Sequence, residues 1–536
     1  MGEIVTINLP RRRLLAAAGT ATALGLTALP EPARASSAAP AATVLPGDGR
    51  YPDLITGANQ RFTSAPESVR LPCTTAQVVA AVQEAVRAGK RIAVRSGGHC
   101  VENLVANPAV QVTLDLAQLT GVRFDPGMRA FEVWAGTTVR EIQGTLYRTW
   151  GVTVPAGSCG GVGAGGHIAG GGYGPLTRRY GLVADHLYAV EVVVIDSAGT
   201  ARSVVAARDS TDAKLRDLWW AHTGGGGGNI GVITRFWLRS PGADGADPAT
   251  LLPRPPAQYL MVRAGFPWAP LTEATFSRLI SNYCTWYAAN RAPGSAGNGV
   301  YSILGVPHRQ SGGIGLSALV DTAGGAADTV LDEFLAAVGD GVGFAAAVRE
   351  RRRMSWWHAT TWNGMADAGD TTRRLKLKSG YLRGAPGPVQ LSALYRHLTR
   401  TDYADPATAV VFDAFGGAAG SVAPGTTAFP HRDAALIAAF QALWLAPADD
   451  ERHVTALREL YRDVYAETGG VPVRNAVNSG CYINYPDADL ADPEWNTSGV
   501  SAQTLYYQEN YPRLQQIKAA WDPCNVFRHA LSVRAS

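Results

Sequence analysis

Glycine is the residue that most constrains what this chain can fold into. Three runs, SGGH at 96–99, GSCGGVGAGGHIAGGGYG at 157–174 and TGGGGGNIG at 223–231, supply long stretches of backbone with few side chains. Inside a regular helix each glycine costs about 1 kcal/mol against alanine, so the runs are poor material for ordinary elements. What they permit is close approach, because bare N–H groups reach phosphates and flat rings. Any one run reads equally as a set of tight turns; three together point to a large nucleotide cofactor.

The middle run contains Gly161, Gly163 and Gly166 in G-x-G-x-x-G spacing. A dinucleotide fingerprint of that form needs a following helix and an acidic residue ending the next strand. The segment from His167 to Tyr173, HIAGGGY, is a poor helix start, so a nicotinamide cofactor is not expected.

Between the runs, helical and extended patterns alternate. AQVVAAVQEAVRAG, opened by Thr74-Thr75 and closed at Gly89, carries its apolar residues at helical spacing. IAVR reads as a strand leading into SGGH, and VQVTLDL, AFEVWAG, VTVPA and AVEVVVIDSAG as further strands; TTVREIQGTLYRTWG and DAKLRDLWWAHTG read as helices. This predicts an α+β or α/β domain over residues 36–252. From 253 to 465 the glycine runs thin out, and strands such as SALVDT and AVVFDAF alternate with helices such as ADTVLDEFLAAV, a second α+β domain. The aromatic-rich stretch 466–536 reads as a return to the first.

At 46% hydrophobic and 17% charged, the composition is that of a packed globular chain without a like-charge block for nucleic acid or a membrane surface. The first 35 residues hold four arginines and two glutamates, and without them the formal charge falls from +4 to +2. Arg11-Arg12-Arg13 precede an apolar run, Leu14 to Leu29, and the small-residue site Ala33-Arg34-Ala35, the order of a signal peptide with a twin-arginine pattern. A membrane anchor is the alternative, but the run falls short of the ~20 apolar residues a span needs. Export of an already folded protein suits one that takes up its cofactor first. Six cysteines, at 73, 100, 159, 284, 481 and 524, are too few for a disulfide framework and lack zinc spacing, so no metal site is expected.

The segments VRSGGHC, SCGGVGAGGHIAGGGYG, DLWWAHTGGGGGNIGVIT, YINYPD and WDPCNVFRHALSV, in this order, resemble the berberine-bridge-enzyme-like branch of the vanillyl-alcohol-oxidase/PCMH flavoproteins, and within it actinobacterial oxidases of sugars attached to antibiotics. The resemblance covers essentially the whole chain after the signal. It implies a PCMH-type FAD-binding domain, a substrate domain built as an antiparallel sheet covered by helices, and a C-terminal berberine-bridge-like segment. It further implies FAD bonded covalently to His99 and to Cys159, with Arg95, Ser96, Gly97 and Gly98 as the pyrophosphate loop. Gly161, Val162, Gly163, Gly165, Gly166, His167, Gly228, Val232, Tyr482 and Asn484 would line the cofactor. Tyr485 in the Y-x-N-Y motif is the expected base, with Tyr482 and Tyr173 next in line, and a lowered phenol pKa is expected, since an ordinary value of ~10 makes a poor base at pH 7. Phe415 stands where several relatives carry a tyrosine. Val162, a small residue beside the flavin, favours an oxidase that releases hydrogen peroxide.

The expected activity is therefore hydride removal from an alcohol of a sugar, an oligosaccharide or a glycosylated metabolite, with O2 as acceptor. Hydride removal from a C–N or benzylic C–H bond of a peptide or polyketide, and a protein that binds a metabolite without turnover, remain open. Neither nucleic acid nor, after signal cleavage, a membrane is an expected partner; the twin-arginine export machinery is. The mature chain is expected to begin near Ser36, which N-terminal sequencing of secreted protein tests; an intact N-terminus in a membrane fraction contradicts it.

Overall fold

The computed structural model describes residues 39–362 and 371–535. The expected signal segment, 1–35, lies outside them.

The helix Thr75–Arg87 forms where its pattern predicts. Thr74 caps it by accepting from Gln77 N, and Val78, Ala81, Val82 and Ala85 form its buried face. Gly89, at φ +65°, ends it just past the cap. The strands flanking this helix, Ser68–Leu71 and Ile92–Arg95, both run parallel to Val112–Asp115, which lies between them. Ala42–Val44 adds an antiparallel edge to complete a four-stranded sheet. The helix is thus the crossover that parallel strands require. A second sheet of five antiparallel strands has the order Val122–Asp125, Ala130–Trp134, Val232–Leu238, Leu187–Ile195, Ala201–Ala207.

Residues 258–444 build a seven-stranded antiparallel sheet, in the order Ala347–Ser355, Gln258–Pro267, Gly313–Asp321, Val300–Pro307, Ala409–Ala414, Leu436–Trp444, Arg374–Leu382. The helices Glu273–Ala289, Ala327–Gly339 and Asp450–Val464 pack on its strands, and Pro388–Thr399 packs on the first and last of them. The architecture is α+β, as expected. The C-terminal helix Tyr511–Trp521 rests on Ala213–Ala221. From this helix Lys518 Nζ donates to Asn229 O at 2.7 Å, and beyond it Val533 N donates to Asn229 Oδ1 at 3.0 Å, so the C-terminal segment clamps the third glycine run.

The structure departs from the sequence reading at three places. Residues 152–156, VTVPA, are buried but join no strand; Thr153 N donates to Pro253 O instead. The apolar run announces burial, and burial alone does not specify a ladder. The strand Val122–Asp125 is not among those read above; Val-Arg-Phe-Asp does alternate apolar and polar residues, but over only four positions, and it pairs with Ala130–Trp134. A six-residue helix, Ala164–Ala169, forms inside the second glycine run, closed after one and a half turns by Gly170.

The runs meet backbone to backbone. A Cβ on Gly97 would fall 2.8 Å from Gly161 O and closer still to Gly163 N. Gly97→Ala is therefore expected to cost about 1–3 kcal/mol of stability by overpacking. Gly49→Ala, facing open space, serves as control in the same thermal-unfolding measurement.

Candidate active site

The strand Ile92–Arg95 delivers the first glycine run to the second. Ser96 Oγ donates to Ala135 O at 2.6 Å and accepts from Gly165 N at 3.3 Å. Arg95 donates to Leu54 O at 2.6 Å, pairs with the buried Asp115 at 3.6 Å and supports Gly98, whose φ of +74° suits glycine. His99 follows. Its Nε2 lies 3.1 Å from where a Cβ on Gly161 would stand, and Gly161 is two residues past Cys159. Val162 N donates to Cys159 O at 3.3 Å, closing a turn over 159–162 beside the His99 ring. Both His99 and Cys159 are half-buried.

The third run joins through Gly226 N, which donates to Ala169 O at 2.9 Å, and Gly227, whose Cβ would meet Gly166 Cα at 3.7 Å. Gly228, at φ +72°, lies against the His529 ring, and Val232 begins its strand fully buried. Gly161 and Gly166 stay exposed among buried neighbours. Bare backbone open at the meeting point of three strapped loops fits a bound nucleotide such as FAD, whose phosphates need N–H donors and whose ring needs room. His167 is committed elsewhere: burial holds its pKa down to about 4, and its neutral Nε2 accepts from Gly157 N at 3.1 Å.

The YINY segment packs on the Ala164–Ala169 helix. Asn484 Nδ2 donates to His167 O at 3.1 Å and to Tyr482 Oη at 2.9 Å. The Tyr482 ring meets those of Tyr485 and Tyr173 edge-on, with centroids 5.2 and 5.3 Å away. From there a hydroxyl chain runs into the seven-stranded sheet. Tyr485 Oη lies 3.0 Å from Tyr173 Oη, Tyr173 donates to Asp413 Oδ2 at 3.0 Å, and Tyr301 donates to Asp413 Oδ1 at 2.6 Å. A phenol has one proton, and Tyr173 spends its own on Asp413. Tyr485 is therefore the donor in the first link, and its oxygen keeps lone pairs for another proton.

The charges here contradict the expected lowering of the Tyr485 pKa. Burial raises it first and the Asp413 carboxylate next, outweighing the Tyr173 hydrogen bond, which lowers it. Burial likewise pushes Asp413 up to about 6, against the pull of the Tyr301 and Tyr173 hydroxyls. The one group in this chain able to change charge near neutral pH is the carboxyl. Phe415, fully buried, packs edge-on against Tyr173 at 5.9 Å and contributes an apolar wall.

Asp413 and Tyr301 are the residues that sequence reading misses. A carboxylate inside the apolar strand AVVFDAF is a signal in hindsight; its partner is not. Ile303 stands opposite Asp413 across the ladder, and Tyr301, two residues along, reaches it diagonally on the same face.

Comparison with known proteins places the scaffold in a family. A family model described as an FAD binding domain matches residues 66–203, and one described as berberine and berberine like matches 481–534. An aclacinomycin-N/aclacinomycin-A oxidase of Streptomyces galilaeus is 47% identical over 488 residues, 91% of this chain and 88% of that protein. The chain belongs to the berberine-bridge-enzyme-like family of FAD-linked oxidoreductases. Among solved structures, a flavoenzyme involved in shunt product recycling in caerulomycin biosynthesis superposes with a TM-score of 0.90 at 50% identity, covering 93% of this chain and all of that one. A glycopeptide hexose oxidase complexed with teicoplanin gives 0.88 at 47%, covering 92% and 99%. The flavoprotein scaffold is therefore shared along nearly its whole length.

Because the two hydroxyls hold Asp413 down, Tyr301→Phe should move its titration above about 6. Infrared titration of the carboxyl band, with Asp413→Asn to assign it, reads that shift directly. An unmoved band would remove Tyr301 from the network.

Proposed function

We propose that this flavoprotein is an exported oxidase of alcohol groups on sugars or glycosylated natural products, holding FAD through bonds to His99 and Cys159. The observation that carries the reading is the hydroxyl chain from Tyr485 through Tyr173 to Asp413. Bound FAD supplies the hydride acceptor for the carbon being oxidised.

The protein's own residues handle the proton. Tyr485 Oη accepts it from the substrate hydroxyl while passing its own to Tyr173, and Tyr173 passes one to Asp413. Each tyrosine ends neutral, so no phenolate has to form in a site that disfavours it, and the base in charge terms is a carboxylate with a pKa of about 6. Positioning by the shared ring packing keeps the acceptor oxygen fixed. A protein that only binds its ligand has no use for such a chain.

The substrate class is supported by the named relatives, which include a hexose oxidase solved with a glycopeptide and an aclacinomycin oxidase. Dioxygen as final acceptor, with hydrogen peroxide as product, is supported by these oxidase relatives and by the small Val162 at the Cys159 turn. Export rests on the arginine and apolar pattern of the first 35 residues. A peroxide-coupled screen of free oligosaccharides, sugar-bearing antibiotics and amine metabolites separates alcohol oxidation from attack at C–N or C–H bonds.

Two experiments test the site. Acid-precipitated protein should keep its yellow colour in the pellet; His99→Ala and Cys159→Ala should each leave one attachment, and the double variant none. Tyr485→Phe should retain flavin yet slow anaerobic reduction by substrate about 10²–10⁴-fold, the usual cost of losing a general base. In the wild type the same rate should fall as pH drops through about 6, where Asp413 takes up a proton. A Tyr485→Phe enzyme reduced at the wild-type rate would move the role to Tyr482 or Tyr173.

A further inference from the structure

One buried group of charges takes no part in the chemistry above. Lys376 and Lys378, from the strand Arg374–Leu382, and Arg458, from the helix Asp450–Val464, face Glu102, Asp487 and Asp489. Lys376 Nζ lies 3.1 Å from Glu102, 2.7 Å from Asp487 and 3.1 Å from Asp489. Lys378 Nζ lies 2.6 Å from Asp487 and 2.9 Å from Asp489, which Arg458 binds from its other side at 2.7 Å. Except for Arg458, these side chains are at most 7% exposed. Arg61, bonded to Leu375 O, adds a further positive field towards Glu102 and Asp489.

Stability is a weak reason for such a cluster, since desolvating each ion costs several kcal/mol and apolar replacements are often as stable. Its connections are more informative. Glu102 is three residues past His99, and Asp487 is two residues past Tyr485. One ammonium is thus shared between the loop of the proposed flavin attachment and the segment of the proposed proton acceptor. Glu102 also accepts from Ala488 N at 3.2 Å, tying the two directly. Neutral bonds strengthen one arm: Asn59 Nδ2 donates to Val101 O at 2.7 Å and to Leu375 O at 2.9 Å, beside Lys376. Burial alone would push the Lys376 pKa down, but Asp487, Glu102 and Asp489 outweigh it and hold the pKa raised, so the ammonium stays charged.

We propose that Lys376 is a positioning residue, setting the His99 loop through Glu102 and the Tyr485 segment through Asp487, so that attachment and proton abstraction occur in one register. The proposal rests on the roles given to His99 and Tyr485 above.

The two arms separate by substitution. Glu102→Gln, whose amide oxygen can still accept from Ala488 N, should lower the fraction of His99 carrying flavin, read by mass spectrometry of its peptide in a Cys159→Ala background, while leaving the reduction rate per bound flavin near that of the Cys159→Ala parent. Asp487→Asn should leave attachment intact and slow reduction per flavin by about 10- to 100-fold, the scale expected of a misplacement near 1 Å. Lys376→Met should do both, and Lys376→Arg should recover part of each. If these variants melt at lower temperature but keep wild-type attachment and rate, the cluster is structural and the proposal is overturned; the same holds if Glu102→Gln and Asp487→Asn have indistinguishable effects. Should Lys376→Met fail to fold, the two single-arm variants, each keeping Lys376, decide alone. Wild-type protein lacking acid-stable flavin would instead refute the covalent reading, leaving the Asp487 arm to be judged by its rate.

Discussion

Backbone meeting backbone is the contact on which the rest of this structure depends. Gly97 and Gly163 approach so closely that neither tolerates a Cβ, and Gly227 seats against Gly165 and Gly166. Three loops separated by tens of residues thereby become one surface of N–H and C=O groups. Loops of this kind carry little packing energy of their own, so their geometry is borrowed. Ser96 ties the first run to the five-stranded sheet through Ala135, and the C-terminal segment pins the third through Asn229. The berberine-like segment is therefore a structural partner of the FAD-binding fold as well as the carrier of its tyrosines.

The electrostatics follow from how dry the tyrosine cluster is. Tyr173, Tyr482 and Phe415 leave almost no surface to water, and in such surroundings every phenol resists ionisation. A carboxyl in the same surroundings is shifted the other way in usefulness: burial brings Asp413 towards neutral pH, while two donated hydrogen bonds stop it from becoming permanently protonated. The same burial that disables tyrosine as an independent base tunes the aspartate at the end of the chain.

Legibility in the sequence tracked the range of the interaction concerned. The helix Thr75–Arg87 was readable because its cap, its apolar face and its terminating glycine all lie within 16 residues. Local spacing also marked the glycine runs, His99, Cys159 and the Y-x-N-Y segment as exceptional. What it did not contain was pairing. Residues 152–156 have a strand's composition without a partner, and Val122–Asp125, although its residues alternate apolar and polar, is too short a pattern to stand out without its partner Ala130–Trp134. Asp413 escaped notice for the same reason, since its meaning comes from Tyr173 and Tyr301, 240 and 112 residues away in the chain. The expectation of an acidified tyrosine failed because burial first, and the Asp413 carboxylate second, outweigh the one hydrogen bond that lowers the pKa.

The strand that holds Asp413 lies in the interior of the seven-stranded sheet, hydrogen-bonded on both sides to Val300–Pro307 and Leu436–Trp444. Backbone in such a position opens only with the sheet as a whole, whereas Tyr173 and Tyr485 sit on segments outside any helix or strand, held by their ring packing. In the proposed relay the proton therefore passes from loop-borne groups to a carboxyl held in the sheet interior. Changes in the loops can alter the mouth of the site without moving the strand on which the proton ends.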